Sequence, residues 1–174
     1  MLDMPEHSLT EVEMQTLLDG LAQAPDLWRD RVEFDDDERK CISIGGNGPV
    51  GIWLVCWANG QDTGFHDHDV SRGAAIVVAG LIEEELMAVG TPTAPSTVFG
   101  PGDRLGFPAH HIHRMTHVGA DRTVTLHAYS PPLRYLGRYE IEGASLTRTA
   151  TSRDETLRYT GGWDTAPVAQ LTPA

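Results

Sequence analysis

Two hydrophobic rhythms meet near residue 39. Before it, Leu9, Val12, Leu17, Leu18 and Leu21 recur at roughly helical spacing, which predicts a helix with one buried face. Ser8-x-x-Glu11 has the form of a capping box at its start, in which each side chain satisfies the other residue's free backbone N–H. Gly20 weakens the helix end, Pro25 closes it, and Asp26 to Arg31 adds a short helical turn. The acidic run Asp35-Asp36-Asp37-Glu38 reads as a solvated connection. After residue 39, short apolar, β-branched and aromatic runs alternate with Gly/Pro/Asn/Asp clusters. Strands are expected at Lys40–Ile44, Val50–Trp57, Ala74–Ala79, Leu81–Ala88, Thr97–Phe99, Arg104–Phe107, Ile112–Val118, Thr123–Tyr129 and Arg138–Ile141. Turns are expected at 45–49, Gly90-Thr91-Pro92 and Gly100-Pro101-Gly102-Asp103. Such spacing without intervening helices predicts an all-β sandwich or barrel. Ser152 to Tyr159 suits a short terminal helix, and the segment after Gly161, with Pro167 and Pro173, has no periodicity. The expected division is an N-terminal helical segment over 1–38, a sheet-built body over 39–160 and a loose tail over 161–174.

Composition narrows the class of protein without naming a chemistry. A chain of 174 residues suits one domain with a sizeable core, and 40% hydrophobic with 22% charged residues is an ordinary globular mix. No run of 18 apolar residues is present, so no membrane span is expected. No basic segment followed by an apolar stretch opens the chain, and Cys41 and Cys56 make no disulfide framework; a reducing cytoplasm is the expected location. A net charge of −12 repels phosphate backbones, which argues against nucleic acid as a partner.

The candidate chemistry starts at His66-Asp67-His68. In extended backbone two histidines one residue apart project from the same face, so both imidazoles can share one metal ion if a third ligand arrives from elsewhere. The plain alternative is a polar loop that contains two histidines. Spacing weighs against it: Gly60, His66, His68, Gly73 and Gly80 are separated by five, one, four and six residues, and Gly102, Pro108 and His113 by five and four. This pattern resembles the two-motif signature of the cupin superfamily. It departs at Gly73, where a typical cupin has a glutamate ligand, and at His110 and His117, where the second motif has a glycine and an asparagine. The resemblance therefore implies three neutral ligands, His66, His68 and His113, with His111 as rival for the third.

Further strings narrow the likeness. Cys56-Trp57, His66-Asp67-His68, Ile112-His113-Arg114 and Thr125-Leu126-His127-Ala128-Tyr129-Ser130-Pro131-Pro132 look like the thiol dioxygenases, of which cysteine dioxygenase is best known. The resemblance covers about residues 40 to 142 and implies a cupin double-stranded β-helix (jelly-roll barrel) preceded by a short helical segment. It also implies a non-haem Fe(II) centre, with nickel or another divalent metal as alternatives. A small thiol such as L-cysteine or 3-mercaptopropionate and O2 would be its partners, and a sulfinate its product. Thr125, His127 and Tyr129 match a hydrogen-bonded Ser-His-Tyr set beside the metal. Animal members carry a cysteine that cross-links to the tyrosine at the position of Gly73, so Tyr129 is expected to stay a free phenol. A cation on the strand before the first motif holds the substrate carboxylate in that family. Here the position falls on Arg39 or Lys40, only one of which can face inward. The expected assembly is a monomer or small homo-oligomer. The other readings are a cupin enzyme giving a different oxidation product and a metal- or ligand-binding cupin without catalysis.

Overall fold

The computed structural model describes residues 7–46, 48–58, 60–87, 95–142 and 145–152. The expected Gly90-Thr91-Pro92 turn, most of the Ser152 to Tyr159 segment and the tail after Gly161 lie outside the described residues. One helix, α1 (Glu11–Ala22), is followed by two 3-10 turns, Pro25–Leu27 and Arg29–Arg31. Then come β1 (Lys40–Gly45), β2 (Gly51–Trp57), β3 (His66–Asp67), β4 (Arg72–Ala79), β5 (Leu81–Leu86), β6 (Ser96–Phe99), β7 (Arg104–Phe107), β8 (His113–Val118), β9 (Thr123–Ser130), β10 (Tyr135–Glu142) and β11 (Ser145–Ser152). The first sheet runs β1-β2-β9-β4-β7 and the second β11-β10-β3-β8-β5-β6. The two face one another as a double-stranded β-helix, the all-β architecture the motif spacing implied.

The first sheet is buried on both faces, so its central strands β2, β9 and β4 have no solvent-facing side. On its outer face α1 lays Met14, Leu18 and Leu21 against Ile42, Ile52, Leu54, Ile76 and Leu126. On its inner face Trp53, Val55, Trp57, Ala75, Val77 and Tyr129 meet Ile82, Met115 and Leu136 of the second sheet. All eight residues of β9 are buried. The second sheet keeps one wet face, and its β8 alternates buried and half-buried positions along its length.

Three expectations are corrected. The helix is capped by Thr10, not Ser8: Thr10 Oγ1 accepts from Glu13 N at 3.3 Å, and Thr10 N donates to Glu13 Oε2 at 2.7 Å. The buried face is Met14, Leu18 and Leu21, and Val12, expected on that face, is 70% exposed. Strand β11, absent from the expected set, pairs with β10 from Tyr135↔Ser152 to Glu142↔Ser145. A strand of two residues at His66–Asp67, absent from the expected set, lies between β10 and β8.

Candidate metal centre

Each of the three motif histidines reaches the barrel interior by a different route. His66 is paired across strands with His113, its neighbour on β8, and His68 follows directly after β3. His66, His68 and His113 are 7%, 1% and 0% exposed, and one ring nitrogen from each lies within 4.8 Å of the others. Nε2 of His66 and Nε2 of His68 are 3.2 Å apart. Two imidazole nitrogens bound at right angles to one ion sit about 3 Å apart, so this pair already has the spacing of a shared ligand set.

Hydrogen bonds fix which nitrogen faces the centre. His66 Nδ1–H donates to the Gly64 carbonyl at 3.1 Å, leaving Nε2 as a free lone pair. His113 Nδ1–H donates to Glu84 Oε1 at 2.7 Å, and its Nε2 is buried with no partner among the described residues. An orphaned buried acceptor beside two others fits a cation. Burial pushes His66 down to about 4, against the Gly64 carbonyl and helped by the Arg39 and Arg138 cations. Burial, then the neighbouring imidazoles, hold His68 and His113 well below the ordinary histidine range. Three neutral nitrogens are thus available to a divalent ion near neutral pH.

His111, the rival ligand, sits with Glu84 and the other edge of His113: its Nε2 is 3.3 Å from Glu84 Oε1. Nε2 of His113 is turned away from that group. His110 lies in the adjoining turn at φ +64° and is exposed. His117 accepts from Gly60 N at Nδ1 and donates from Nε2 to the Asp121 carbonyl, which ties two loops together.

Across the cavity, β9 presents Thr125, His127 and Tyr129 from alternate positions. Trp57 Nε1–H donates to Thr125 Oγ1 at 2.9 Å, Thr125 Oγ1 lies 2.8 Å from His127 Nε2, and His127 Nδ1 lies 3.2 Å from the Tyr129 hydroxyl. Donor counting sets the direction. The Thr125 hydroxyl hydrogen has one acceptor among the described residues, His127 Nε2, so the imidazole proton sits on Nδ1 and is donated to the Tyr129 oxygen. The phenol hydrogen is then free to point inward. Burial raises the Tyr129 hydroxyl above its ordinary range and pushes His127 down to about 3, so both stay neutral.

Arg39 and Lys40 separate as strand alternation requires. Arg39 is 5% exposed, lies 4.8 Å over the Trp57 ring and donates from Nη1 to the Asp62 carbonyl at 2.6 Å. Its charge reaches His66 and His127, and no carboxylate lies within ion-pair distance among the described residues. Lys40 turns the other way, its Nζ 3.3 Å from Asp35. Arg72 is exposed and Arg104 forms a two-point contact with Asp19.

The profile of the cysteine dioxygenase type I family matches residues 2–142. The chain belongs to the cysteine dioxygenase type I family. It is 25% identical over 141 residues to the cysteine dioxygenase type 1 of Danio rerio, covering 73% of this chain and 68% of that protein. With the Homo sapiens protein the identity is 24% over 133 residues, covering 69% of this chain and 64% of the human one. Among solved structures, a cupin superfamily protein from Desulfitobacterium hafniense superposes with a TM-score of 0.50 at 17% identity, over 60% of this chain and 87% of that one. A protein with a double-stranded β-helix domain from Klebsiella pneumoniae gives 0.51 at 13% identity, over 70% and 92%. These structural likenesses are of fold.

Within this family frame, Gly73 has a local explanation. A Cβ there would lie 2.7 Å from Phe107 Cδ2 and 2.9 Å from Tyr129 Cδ1. Both rings pack onto the bare backbone, filling the space a side chain would need. Sequence reasoning missed four participants. Glu84 was hidden in the Glu83-Glu84-Glu85 run, although alternation from buried Ile82 puts it on the inner side. Trp57 was read only as part of a string. The third and fourth, Asp67 and Arg148, form a clamp behind β3. Asp67, 1% exposed, accepts from Arg148 Nε and Nη2 at 2.8 Å each, from the Tyr139 hydroxyl at 2.6 Å and from Gly137 N at 3.1 Å. Burial alone would raise this carboxyl, but those donors hold it well below the usual range. The Arg148 side chain crosses the face of Gly137, where a Cβ would collide with it.

Proposed function

We propose that this chain is a thiol dioxygenase that binds Fe(II) through His66, His68 and His113 and converts a small carboxylate-bearing thiol to its sulfinate. L-cysteine and 3-mercaptopropionate are the first candidates. The observation that carries the reading is the convergence of three buried, neutral imidazoles on one point, faced by the Thr125–His127–Tyr129 chain and flanked by a buried guanidinium without a carboxylate. Bound iron would supply open coordination positions for sulfur and O2 and the electrons that couple them. In the overall reaction the S–H bond breaks, two S–O bonds form, sulfur loses four electrons to O2, and one proton leaves.

The chain's own residues divide the remaining work. Three neutral ligands leave a dipositive charge that favours a thiolate, lowering the pKa of the incoming thiol. The Arg39 guanidinium, buried and without a carboxylate partner among the described residues, offers a two-point contact to the substrate carboxylate and so orients the sulfur. Tyr129, kept protonated by burial, donates its hydroxyl hydrogen toward the bound substrate. His127 and Thr125 hold the phenol in that orientation, with Trp57 anchoring the chain at its far end. Phe107 and the inner-face side chains exclude bulk water.

The test is O2 uptake by the iron-loaded protein on a thiol panel of cysteine, 3-mercaptopropionate, cysteamine and mercaptosuccinate, with products identified by mass. The reading expects one O2 consumed per thiol and a product 32 mass units (about two oxygen atoms) heavier. Cysteamine, which lacks a carboxylate, should be turned over poorly. Tyr129→Phe should keep its iron and lose turnover by about 10- to 100-fold. Disulfide or no product from every thiol would refute the reading.

A further inference from the structure

A second cation stands beside the centre, on the opposite sheet from Arg39. Arg138 of β10 is the cross-strand partner of His66. Residues directly opposite in an antiparallel pair project from the same face, and His66 points inward. The neighbours agree. Leu136, two residues earlier, is 4% exposed in the inter-sheet core, whereas Tyr139 and Gly137 face outward onto Asp67 and Arg148. Arg138 is half-buried and has no hydrogen bond or ion pair among the described residues. Its charge reaches the His66 ring, as that of Arg39 does from the other side.

This is unusual for the chain, which holds 25 acidic residues against 13 basic ones. Arg104, Arg114, Arg122 and Arg148 each hold a carboxylate, and Arg29, Arg31, Arg72 and Arg134 are exposed. Among the described arginines, only Arg39, buried, and Arg138, half-buried, are withdrawn from the surface without an acidic partner. A cation withdrawn from water without a counter-charge is costly unless a ligand supplies one.

We propose that Arg138 is a second anion subsite of the centre, so that the preferred substrate is a thiol carrying two carboxylates, one held by Arg39 and one by Arg138. The inference rests on the dioxygenase reading for its sulfur chemistry and on the strand register for its geometry. Mercaptosuccinate and 3-mercaptopropionate form a matched pair to test it, since the first is the second with an added carboxylate on the thiol-bearing carbon.

Both thiols are titrated calorimetrically into the iron-loaded protein without oxygen, and kcat/KM for O2 uptake is measured for both. Wild type should favour mercaptosuccinate by about 10-fold or more in affinity and in kcat/KM. Arg138→Gln should bring both ratios to near one, and Arg138→Lys should restore part of the preference. Circular dichroism melting confirms that each variant folds. A wild-type ratio at or below one, or a ratio indifferent to Arg138→Gln, overturns the subsite. If neither thiol consumes O2 while mercaptosuccinate binding still depends on Arg138, the subsite stands and the dioxygenase reading falls. Turnover of both thiols with no dependence on Arg138 removes the subsite and leaves the dioxygenase reading standing.

Discussion

The two sheets that enclose the centre hold their functional residues in different ways. The second sheet supplies the three histidines from a two-residue strand, a loop and the first residue of β8, and holds them with charge. Asp67 is gripped by Arg148 and Tyr139 behind the strand, and Glu84 grips His113. The first sheet supplies Thr125, His127 and Tyr129 from one eight-residue strand paired along its length on both sides, with a neutral hydrogen-bond chain and apolar packing. A short segment with few ladder bonds needs added polar contacts to keep its register; a long central strand does not. The candidate metal ligands should therefore respond to charge changes outside the cavity, and the phenol chain to polar changes within it.

The largest effect is expected where a clamp member is removed. Arg148→Met leaves the buried Asp67 carboxylate with only hydroxyl and amide donors. Breaking a buried pair costs roughly 3–5 kcal/mol, discounted here to about 2 kcal/mol because Arg148 is partly exposed. Urea unfolding should report that loss. Iron affinity should also fall by about 10-fold, since β3 loses its backing. Unchanged iron affinity would break the contrast between the sheets.

Thr125→Val tests the other sheet. It leaves the Trp57 indole N–H and one His127 nitrogen without a partner in a dry core, a loss of about 1–3 kcal/mol. Iron binding should remain at the wild-type level while turnover falls, and a loss of iron would contradict the separation. Glu84→Gln keeps an acceptor for His113 but removes its charge, so iron affinity should drop by about 10-fold with thermal stability little changed. The smallest effect is expected at Lys40. Its pair with Asp35 is a surface contact, and Lys40→Met should shift stability by less than about 0.5 kcal/mol and leave turnover unchanged.

Much of this arrangement was legible in the residues, for identifiable reasons. The continuous apolar run of β2 and the alternating residues of β9 announced strands, and His-x-His with a distant third histidine pointed to the candidate centre, because both depend on local spacing. The helix start was misread because Ser8-x-x-Glu11 and Thr10-x-x-Glu13 satisfy the same capping pattern two residues apart, and the pattern alone does not choose between them. Strand β11 was hidden because Ser-Leu-Thr-Arg-Thr-Ala-Thr-Ser lies at a sheet edge with most positions exposed, so no hydrophobic alternation marks it. Asp67–Arg148, 81 residues apart in sequence, and Glu84–His113, 29 apart, are products of strand order. No periodicity within either segment could reveal such pairs. The choice between Arg39 and Lys40 needed only the phase of one strand, which the Gly45–Pro49 turn left open.

We expect Nε2 of His66, His68 and His113 to grip one ion, in preference to the neighbouring Glu84, His111 and His113 group. An anaerobic Fe(II) titration of the wild type, His66→Ala and His111→Ala tests it directly. One tightly bound iron per chain is expected in the wild type and in His111→Ala, and none in His66→Ala. Retention by His66→Ala together with loss in His111→Ala would contradict it.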